Sequence, residues 1–323
     1  MGLLKRRHHV SPEVSLPAPS ASRLDPAGLL WALLAAAFGS TVAVAGKWLL
    51  AAGAGPLTVV ALRATVAVTV LGLALLLLRR SALRLPWREM PFFALYGLIG
   101  VTLLYLTFIL AVREIGAALS TTIFYVYPTI AALLAALFLK ERLTWRKALP
   151  LPVTFLGCVL VSGLWPAGQV AWRPAGVLWA LLAGTTFALY FVLSRRALAR
   201  HQSWTTLFYS LAWGTLFLDL LWAVLSFFPS AQPLLGTIPP WNDFSFWGAL
   251  LYMALGATLG MYLADLQALQ RIEVRQLGLV GTLEPLLGTL LAFLLFGERL
   301  TSWQWAGATV IISGVVWLRW GER

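Results

Sequence analysis

Pro128–Thr144 reads PTIAALLAALFLKERLT, and Pro285–Thr301 reads PLLGTLLAFLLFGERLT. Nine of these 17 positions are identical, at a constant shift of 157 residues. A second repeat lies upstream in each half, because Leu30–Ala35 and Leu178–Ala183 both read LWALLA. All four stretches belong to apolar segments long enough to cross a bilayer. An internal repeat within such segments is typical of transporters that are built from two related halves.

Composition supports a membrane protein. Hydrophobic residues make up 60% of the 323 residues and charged residues only 11%, whereas about a quarter of the residues in a soluble chain are charged. The single cysteine, Cys158, excludes a disulfide framework and a cysteine-based metal site. We therefore expect an all-α integral membrane protein of the cell membrane, the inner membrane in a bacterium, without a metal or a cofactor.

Ten apolar segments approach or exceed the length of about 17–25 residues that a membrane-spanning helix needs. Such segments must be helical, because lipid cannot satisfy exposed backbone polar groups. The predicted transmembrane helices cover residues 27–50, 57–78, 90–112, 117–139, 148–165, 174–194, 204–228, 244–268, 276–296 and 302–320. Residues 1–26, which are basic and rich in Pro, Ser and Ala, are expected to form a disordered cytoplasmic segment.

The placement of Lys and Arg predicts the orientation. With the N-terminus in the cytoplasm, 19 of the 24 Lys and Arg residues fall in cytoplasmic segments. The positive-inside rule therefore predicts that both termini are cytoplasmic. The net charge of +12 is explained by this topology, so we expect no nucleic-acid partner.

The two halves are expected to have opposite orientations. Five helices per half is an odd number, so residues 27–166 and residues 174–320 would form two inverted five-helix repeats. Segment 140–147, on the predicted cytoplasmic side, holds four basic residues. Its counterpart 297–304 would face outward and keeps only Arg299. An inverted repeat predicts an approximate two-fold axis in the membrane plane, with a binding site near the midplane.

The chain resembles the EamA-like branch of the drug/metabolite transporter superfamily over about residues 27–320. The resemblance rests on the ten segments, on the doubled ERLT ending and on a run of residues in the first half. That run comprises Gly39, Ser40, Lys47, Pro56 and Arg63. The resemblance implies a carrier of small metabolites, often an exporter, that works by alternating access. It also implies that helices 1–4 and 6–9 surround the central path.

Glu284 is the most informative polar residue inside a predicted span. A carboxylate at the midplane costs at least about 2.5 kcal/mol, so it should face a cavity and have a partner. Pro285 removes a backbone donor next to it. The equivalent positions in the first half are Tyr127 and Pro128. We predict that these four residues form the centre of the path, where Glu284 contacts substrate or carries a coupled proton. The alternative is a protonated glutamate that is bonded to nearby backbone.

Four further residues are candidates for the path. Tyr105 and Tyr262 are equivalent at the shift of 157 residues, and their hydroxyls could contact substrate or a facing helix. Asp219 is a candidate because an unpaired aspartate inside a span is costly. Arg63 could bind a substrate carboxylate or extend to the surface. Asp265 is expected to pair with Arg271 or Arg275.

Several functions remain open at this stage. The leading prediction is a secondary transporter, an exporter or exchanger of small metabolites such as amino acids. The alternative is a broad exporter of amphipathic toxic compounds, and a channel or scramblase is a further possibility. HExxH, GxSxG and Walker motifs are absent, so we expect no enzyme. The expected partners are a small-molecule substrate, the lipid bilayer and a coupled proton, with the chain a monomer or weak homodimer.

Overall fold

The computed structural model of the chain describes residues 25–141, 143–162, 173–296 and 301–320. Within these ranges the regular structure is helical, without a strand. An isolated antiparallel bridge joins Ala54 to Gly236. Residues 1–24, which make up nearly all of the predicted disordered segment, lie outside the described part of the chain.

The first half contains helices that begin where the sequence provides caps. Asp25 precedes the first helix and accepts a hydrogen bond from the Ala27 backbone N–H at 3.2 Å, and proline opens the first two long helices, where its fixed φ is suitable. The described α-helices of this half are α1 (Pro26–Ala51), α2 (Pro56–Leu78), α3 (Met90–Gly97), α4 (Leu104–Phe124), α5 (Tyr127–Leu139), α6 (Trp145–Ala148) and α7 (Pro150–Val161).

The second half follows the same plan. Pro174 opens its first helix as Pro26 opens α1, at a shift of 148 residues. The described α-helices are α8 (Pro174–Leu198), α9 (Ser203–Leu225), α10 (Gln232–Leu235), α11 (Phe244–Tyr252), α12 (Met261–Leu269), α13 (Val274–Gly281), α14 (Leu283–Phe296) and α15 (Ser302–Trp320).

Seven helical segments of the described chain are long and apolar enough to cross a membrane. They are Pro56–Leu78, Trp87–Ala117, Leu119–Leu139, Pro174–Leu198, Ser203–Leu225, Phe244–Leu269 and Val274–Leu295. Large apolar side chains such as Leu77, Leu137 and Leu294 are mostly exposed, which suits contact with lipid and not with water. The expected all-α, multi-pass membrane architecture is therefore confirmed.

The other three predicted spans coincide with α1, α7 and α15. Helix α1 has 26 residues and α15 has 19. Helix α7 has only 12 residues, about 18 Å at 1.5 Å per residue, which is shorter than the hydrocarbon core of about 30 Å. The end of the predicted fifth span, residues 163–165, lies outside the described part of the chain.

The two halves share irregularities as well as helices. A π-helical segment, Leu98–Leu103, interrupts the third long helix of the first half, and another, Met253–Gly260, interrupts its counterpart. In each, a threonine hydroxyl bonds the carbonyl oxygen five residues earlier, Thr102 to Gly97 at 3.5 Å and Thr258 to Met253 at 2.9 Å. The wider turn therefore leaves space for a side-chain hydrogen bond in both copies.

Reciprocal contacts join the two halves. Arg271 pairs with Asp25 at 3.8 Å, and Glu114 pairs with Arg173 at 3.2 Å. Each pair joins the start of the first helix in one half to the end of the third long apolar segment in the other. In the first half that segment ends near Gly116, whose φ of 77° interrupts α4. In the first pair the acidic residue precedes the first helix of its half, and in the second pair the basic residue does. The positions that pair are nevertheless equivalent in the two halves. Equivalent positions of the two halves therefore make the same kind of contact with the opposite half.

The packing of the helices is also reciprocal between the two halves. Helix α1 packs against α12 and α14 of the second half, and α8 packs against α4 and α5 of the first. Helices α2 and α9 pack together, as do α5 and α13. Helices α7 and α15 pack chiefly against each other, and Gly157 and Gly307 allow their backbones to approach closely. The centre of the molecule is thus formed by helices of both halves.

Candidate functional site

Two helix breaks meet at the centre. Tyr125 and Val126 separate α4 from α5, and Thr282 separates α13 from α14. Tyr125 and Thr282 are equivalent at the shift of 157 residues. Pro128 and Pro285 follow the breaks and cannot donate the helical hydrogen bond. Both copies therefore interrupt the same helix at the same place.

Glu284 lies in the first turn of α14, immediately after its break. The Tyr125 hydroxyl donates a hydrogen bond to Glu284 Oε2 at 3.3 Å. The carboxyl group also packs on the backbone of α1, because a Cβ added to Gly39 would lie 2.8 Å from Glu284 Cδ. The Glu284 carboxyl is thus held between α1 and the break of the first half.

Tyr127 and Pro128 pack against α13 on the other side of the break. Tyr127 is fully buried, and its hydroxyl has no hydrogen-bond partner among the described residues. That hydroxyl occupies the space where a side chain at Gly281 would lie, and a Cβ added to Gly278 would lie 3.3 Å from Pro128 Cα. The structure therefore brings Tyr127, Pro128 and Glu284 together, with Pro285 next to the carboxyl.

Gly281→Ala is expected to destabilise the protein, because the added Cβ would overlap the Tyr127 hydroxyl. Overpacking of this kind costs about 1–3 kcal/mol, and thermal unfolding in detergent measures it. Gly248→Ala is the matched control, since a Cβ there meets nothing within 4 Å. The Tyr127→Phe background removes the hydroxyl and should recover most of the loss. An equal loss in both backgrounds would contradict this contact.

Tyr105 and Tyr262 meet directly. Their hydroxyl oxygens are 2.9 Å apart and share a hydrogen bond between the two halves. The guanidinium carbon of Arg63 lies 4.1 Å from the centroid of the Tyr105 ring, a cation–π contact. Arg63 is only 5% exposed, so it does not extend to the surface. Its Nε has no hydrogen-bond partner in the described part of the chain.

Asp219 lies apart from this group, between α9 and α2. The Thr65 hydroxyl is 3.1 Å from Asp219 Oδ1 and 3.0 Å from Oδ2, so it can donate to either oxygen. Asp219 is half-buried. The premise that it is unpaired was wrong, because a threonine on the neighbouring helix supplies a donor. No contact described here joins Asp219 to Glu284.

Asp265 on α12 is a buried carboxyl whose surroundings differ from the sequence prediction. The expected pairing with Arg271 or Arg275 is wrong: Arg271 pairs with Asp25, and Arg275 donates to Glu273 at 3.0 Å. Asp265 is 3% exposed, and its Oδ2 has no partner among the described residues. The sequence did place Asp265 three residues after Tyr262, and residues three apart share a helix face. This spacing could have indicated that Asp265 lies on the same side of α12 as Tyr262.

Aromatic rings connect these polar groups. Tyr127 and Phe187 have ring centroids 4.7 Å apart, and Phe187 stacks on Tyr190 at 5.8 Å. Tyr190 makes an edge contact with Tyr262 at 5.1 Å. The rings form a continuous wall from the break at Tyr125 to the Tyr105–Tyr262 hydrogen bond. Phe187 and Tyr190 of α8 were not among the predicted site residues.

Glu141, the first residue of the ERLT motif in the first half, has a structural role. Glu141 Oε1 accepts a hydrogen bond from the Val274 backbone N–H at 3.1 Å, so it caps the start of α13. Burial raises the pKa of Glu141, because desolvation outweighs the effect of that hydrogen bond. Lys147 and Glu273 form an ion pair nearby at 3.8 Å. The second copy of the motif covers residues 298–301, of which 298–300 lie outside the described part of the chain.

Comparison with known proteins identifies the family of this chain. The model of the EamA-like transporter family matches residues 26–163 and residues 174–320. The chain belongs to the EamA-like transporter family. This EamA-like protein is therefore a multi-pass transporter of the cell membrane.

Relatives of this EamA-like transporter include characterised and uncharacterised proteins. It is 29% identical over 262 residues to the threonine/homoserine exporter RhtA of Salmonella typhimurium, covering 76% of this chain and 79% of RhtA. It is 25% identical over 218 residues to an uncharacterised transporter of Archaeoglobus fulgidus, covering 67% of this chain and 72% of the relative. One crystal structure of a protein matches with a TM-score of 0.74 and 23% identity, covering 90% of this chain and 95% of the other, which shows the shared fold.

Proposed function

We propose that this chain exports or exchanges small metabolites, with amino acids as the leading class, by alternating access. The main observation in support is that two equivalent helix breaks meet around Glu284, whose carboxyl contacts α1 and Tyr125. Freed backbone groups and a carboxyl at one place suit a polar solute inside a membrane. The relative RhtA, which is named a threonine/homoserine exporter, supports amino acids.

Alternating access requires the site to open to each side in turn. We propose ten transmembrane helices in two inverted repeats, residues 27–166 and 174–320, with both termini cytoplasmic. The reciprocal ion pairs Asp25–Arg271 and Glu114–Arg173 support this arrangement, as does the concentration of Lys and Arg on one side. In such a fold the two halves can exchange conformations around a central site.

The topology predicts which cysteines an impermeant thiol reagent can reach in whole cells. Asn242→Cys should be labelled from outside, and Ser81→Cys only after permeabilisation; both native side chains are exposed. The unmodified chain is the control, because Cys158 is buried and should stay unlabelled. Labelling of position 81 in intact cells, with protection of position 242, would reverse the orientation.

Arg63 is proposed to bind the anionic end of the substrate. It is buried against Tyr105, and its Nε lacks a partner among the described residues. The ion pairs of the described chain engage other arginines, namely Arg173, Arg200, Arg271 and Arg275. A buried guanidinium without a counter-ion is costly in a membrane, and a carboxylate is the partner that its planar donors fit.

A broad exporter of amphipathic toxic compounds is the second candidate. The wall formed by Tyr127, Phe187, Tyr190 and Tyr262 supports it, because aromatic faces bind organic cations. Proteoliposomes that contain the purified chain should be tested for uptake of labelled L-threonine and, separately, for ethidium transport. Saturable threonine uptake supports the first proposal, and ethidium transport alone supports the second. Saturable transport of neither compound would contradict both.

A further inference from the structure

The connection between α2 and α3, residues 79–89, carries more positive charge than its counterpart in the second half. Its four arginines are exposed, and its single acidic residue is Glu89. The arginines are Arg79, Arg80, Arg84 and Arg88. The counterpart, residues 226–243, contains no Lys or Arg, and Asp243 is its single charged residue. Positive charge is therefore concentrated in one of two equivalent connections, and none of the transport roles proposed above uses it.

Hydrogen bonds hold this connection against the second half. The Thr205 hydroxyl donates to the Ala82 carbonyl oxygen at 2.9 Å. The Tyr209 hydroxyl donates to the Leu83 carbonyl oxygen at 2.8 Å. Both donors belong to α9. Arg84 follows directly after the two bonded residues, so the other half of the molecule holds its backbone in place.

The acidic residue of the connection does not balance its arginines. Glu89 pairs with His201 at 3.6 Å and with Arg200 at 3.8 Å, and both partners come from the turn between α8 and α9. The Arg200 side chain is largely exposed. The second half therefore adds another guanidinium group beside the connection.

Two of the four arginines also contact the protein. Arg80 Nε donates to the Leu76 carbonyl oxygen at 2.8 Å, and the guanidinium carbon of Arg79 lies 5.9 Å from the centroid of a Trp204 ring. The side chains of Arg84 and Arg88 make no hydrogen bond or ion pair with the described residues. Their guanidinium groups are therefore available to a ligand.

Exposed apolar side chains place these arginines at the surface of the bilayer. Leu77 and Leu78, the last two residues of α2, are 76% and 81% exposed, and Trp87 is 86% exposed. Leucines this exposed suit hydrocarbon and not water, and tryptophan favours the level of the lipid headgroups. Arg84 and Arg88, which lie beyond the leucines and next to the tryptophan, are therefore expected at the level of the lipid phosphates.

The ligand that fits this surface has a phosphate and acyl chains. Guanidinium groups match phosphate with their planar donors, and arginine clusters next to a transmembrane helix attract anionic lipids. A soluble anion would contact the arginines alone, whereas a phospholipid also covers Leu77 and Leu78. A headgroup with its own positive charge would be attracted less, so the net charge of the lipid should be negative.

We propose that residues 79–89 bind an anionic phospholipid of the leaflet that they face. Arg84 and Arg88 contact its phosphate, and Leu77 and Leu78 contact its acyl chains. The leaflet is the cytoplasmic one in the topology proposed above. The lipid would bind where the connection of the first half is bonded to α9 of the second, so it should stabilise the contact between the halves. This proposal does not depend on the transported solute.

Thermal unfolding of the chain in a neutral detergent tests the proposal, because a ligand that binds the folded state raises the temperature of unfolding. The probes are dioleoylphosphatidylglycerol, which is anionic, and dioleoylphosphatidylcholine, which has the same acyl chains and no net charge. We expect phosphatidylglycerol to stabilise the wild type more. The double variant Arg84→Gln and Arg88→Gln should require at least about tenfold more phosphatidylglycerol for the same stabilisation.

Two controls separate this surface from a general effect of charge. Arg113→Gln removes one exposed arginine at the opposite end of the apolar segment Trp87–Ala117, and it should respond to phosphatidylglycerol as the wild type does. Glycerol 3-phosphate, which has a phosphate and no acyl chains, should not stabilise the protein. All three substitutions are at exposed positions, where changes in stability are small, so the variants should fold.

Four results would overturn the proposal. The first is equal stabilisation by the two lipids, and the second is an unchanged phosphatidylglycerol response in the double variant. The third is an equal loss of that response in Arg113→Gln, which would show an effect of net charge alone. The fourth is stabilisation by glycerol 3-phosphate as strong as that by the lipid, which would indicate a site for a soluble anion.

Discussion

Glu284→Gln is expected to reduce gradient-driven uptake of the transported solute by at least about tenfold, equivalent to about 1.4 kcal/mol. The substitution keeps the shape of the side chain and the acceptor for the Tyr125 hydroxyl, but it removes the ionisable group. Proteoliposomes with equal amounts of inserted protein and an imposed pH gradient measure the effect. Labelled L-threonine is the first probe.

A second measurement separates the two roles that Glu284 could have. If Glu284 carries a coupled proton, the Gln variant should lose gradient-driven uptake and retain solute exchange at equal pH on both sides. If Glu284 only contacts the solute, uptake and exchange should weaken together. Uptake at the wild-type rate by a correctly inserted Gln variant would place the path elsewhere, with Asp219 as the next carboxyl to test.

Gly39→Ala is expected to have an effect of similar size, although it removes no functional group. A Cβ at position 39 would lie 2.8 Å from Glu284 Cδ and 3.0 Å from its Oε1. One of the two must move, and displacement of a binding group by about 1 Å can reduce activity about 100-fold. Transport by the reconstituted variant measures the loss.

Gly46→Ala is the matched control on the same helix, because a Cβ at that position meets nothing within 4 Å. Glu284→Asp has a shorter side chain and should recover part of the activity when it is combined with Gly39→Ala. Such non-additivity is the signature of a direct contact. Equal losses in the Gly39 and Gly46 variants, or strictly additive effects in the double variant, would contradict the contact.

The fold was largely predictable because its determinants are local or repeated. A repeat at a fixed shift specifies which helices are equivalent, and Pro128 and Pro285 mark where they break. Lipid leaves helices as the available structure for long apolar segments. The short α7 shows the limit, since apolar runs do not specify where a helix begins and ends.

The site was only partly predictable from the sequence. The partners of a side chain depend on how its helix is rotated and how deep the residue lies in the protein, as well as on the spacing of residues along the chain. Asp265 precedes Arg271 by six residues and Arg275 by ten, so pairing with one of them was a reasonable prediction. In the structure, Arg271 instead pairs with Asp25, and Arg275 with Glu273. Asp219 accepts a hydrogen bond from Thr65, which lies on a different helix. No residue spacing could have revealed that Gly39 forms the surface on which Glu284 rests.

Counterflow is the most direct test of the claim that the two halves form a carrier around one central site. Proteoliposomes loaded with unlabelled L-threonine are diluted into buffer with a trace of labelled L-threonine. A carrier that exchanges solute should accumulate label above its equilibrium level and then lose it, and increasing external threonine should saturate the initial rate. Label that rises only to equilibrium, at a rate proportional to concentration, would instead indicate an open pore and contradict alternating access.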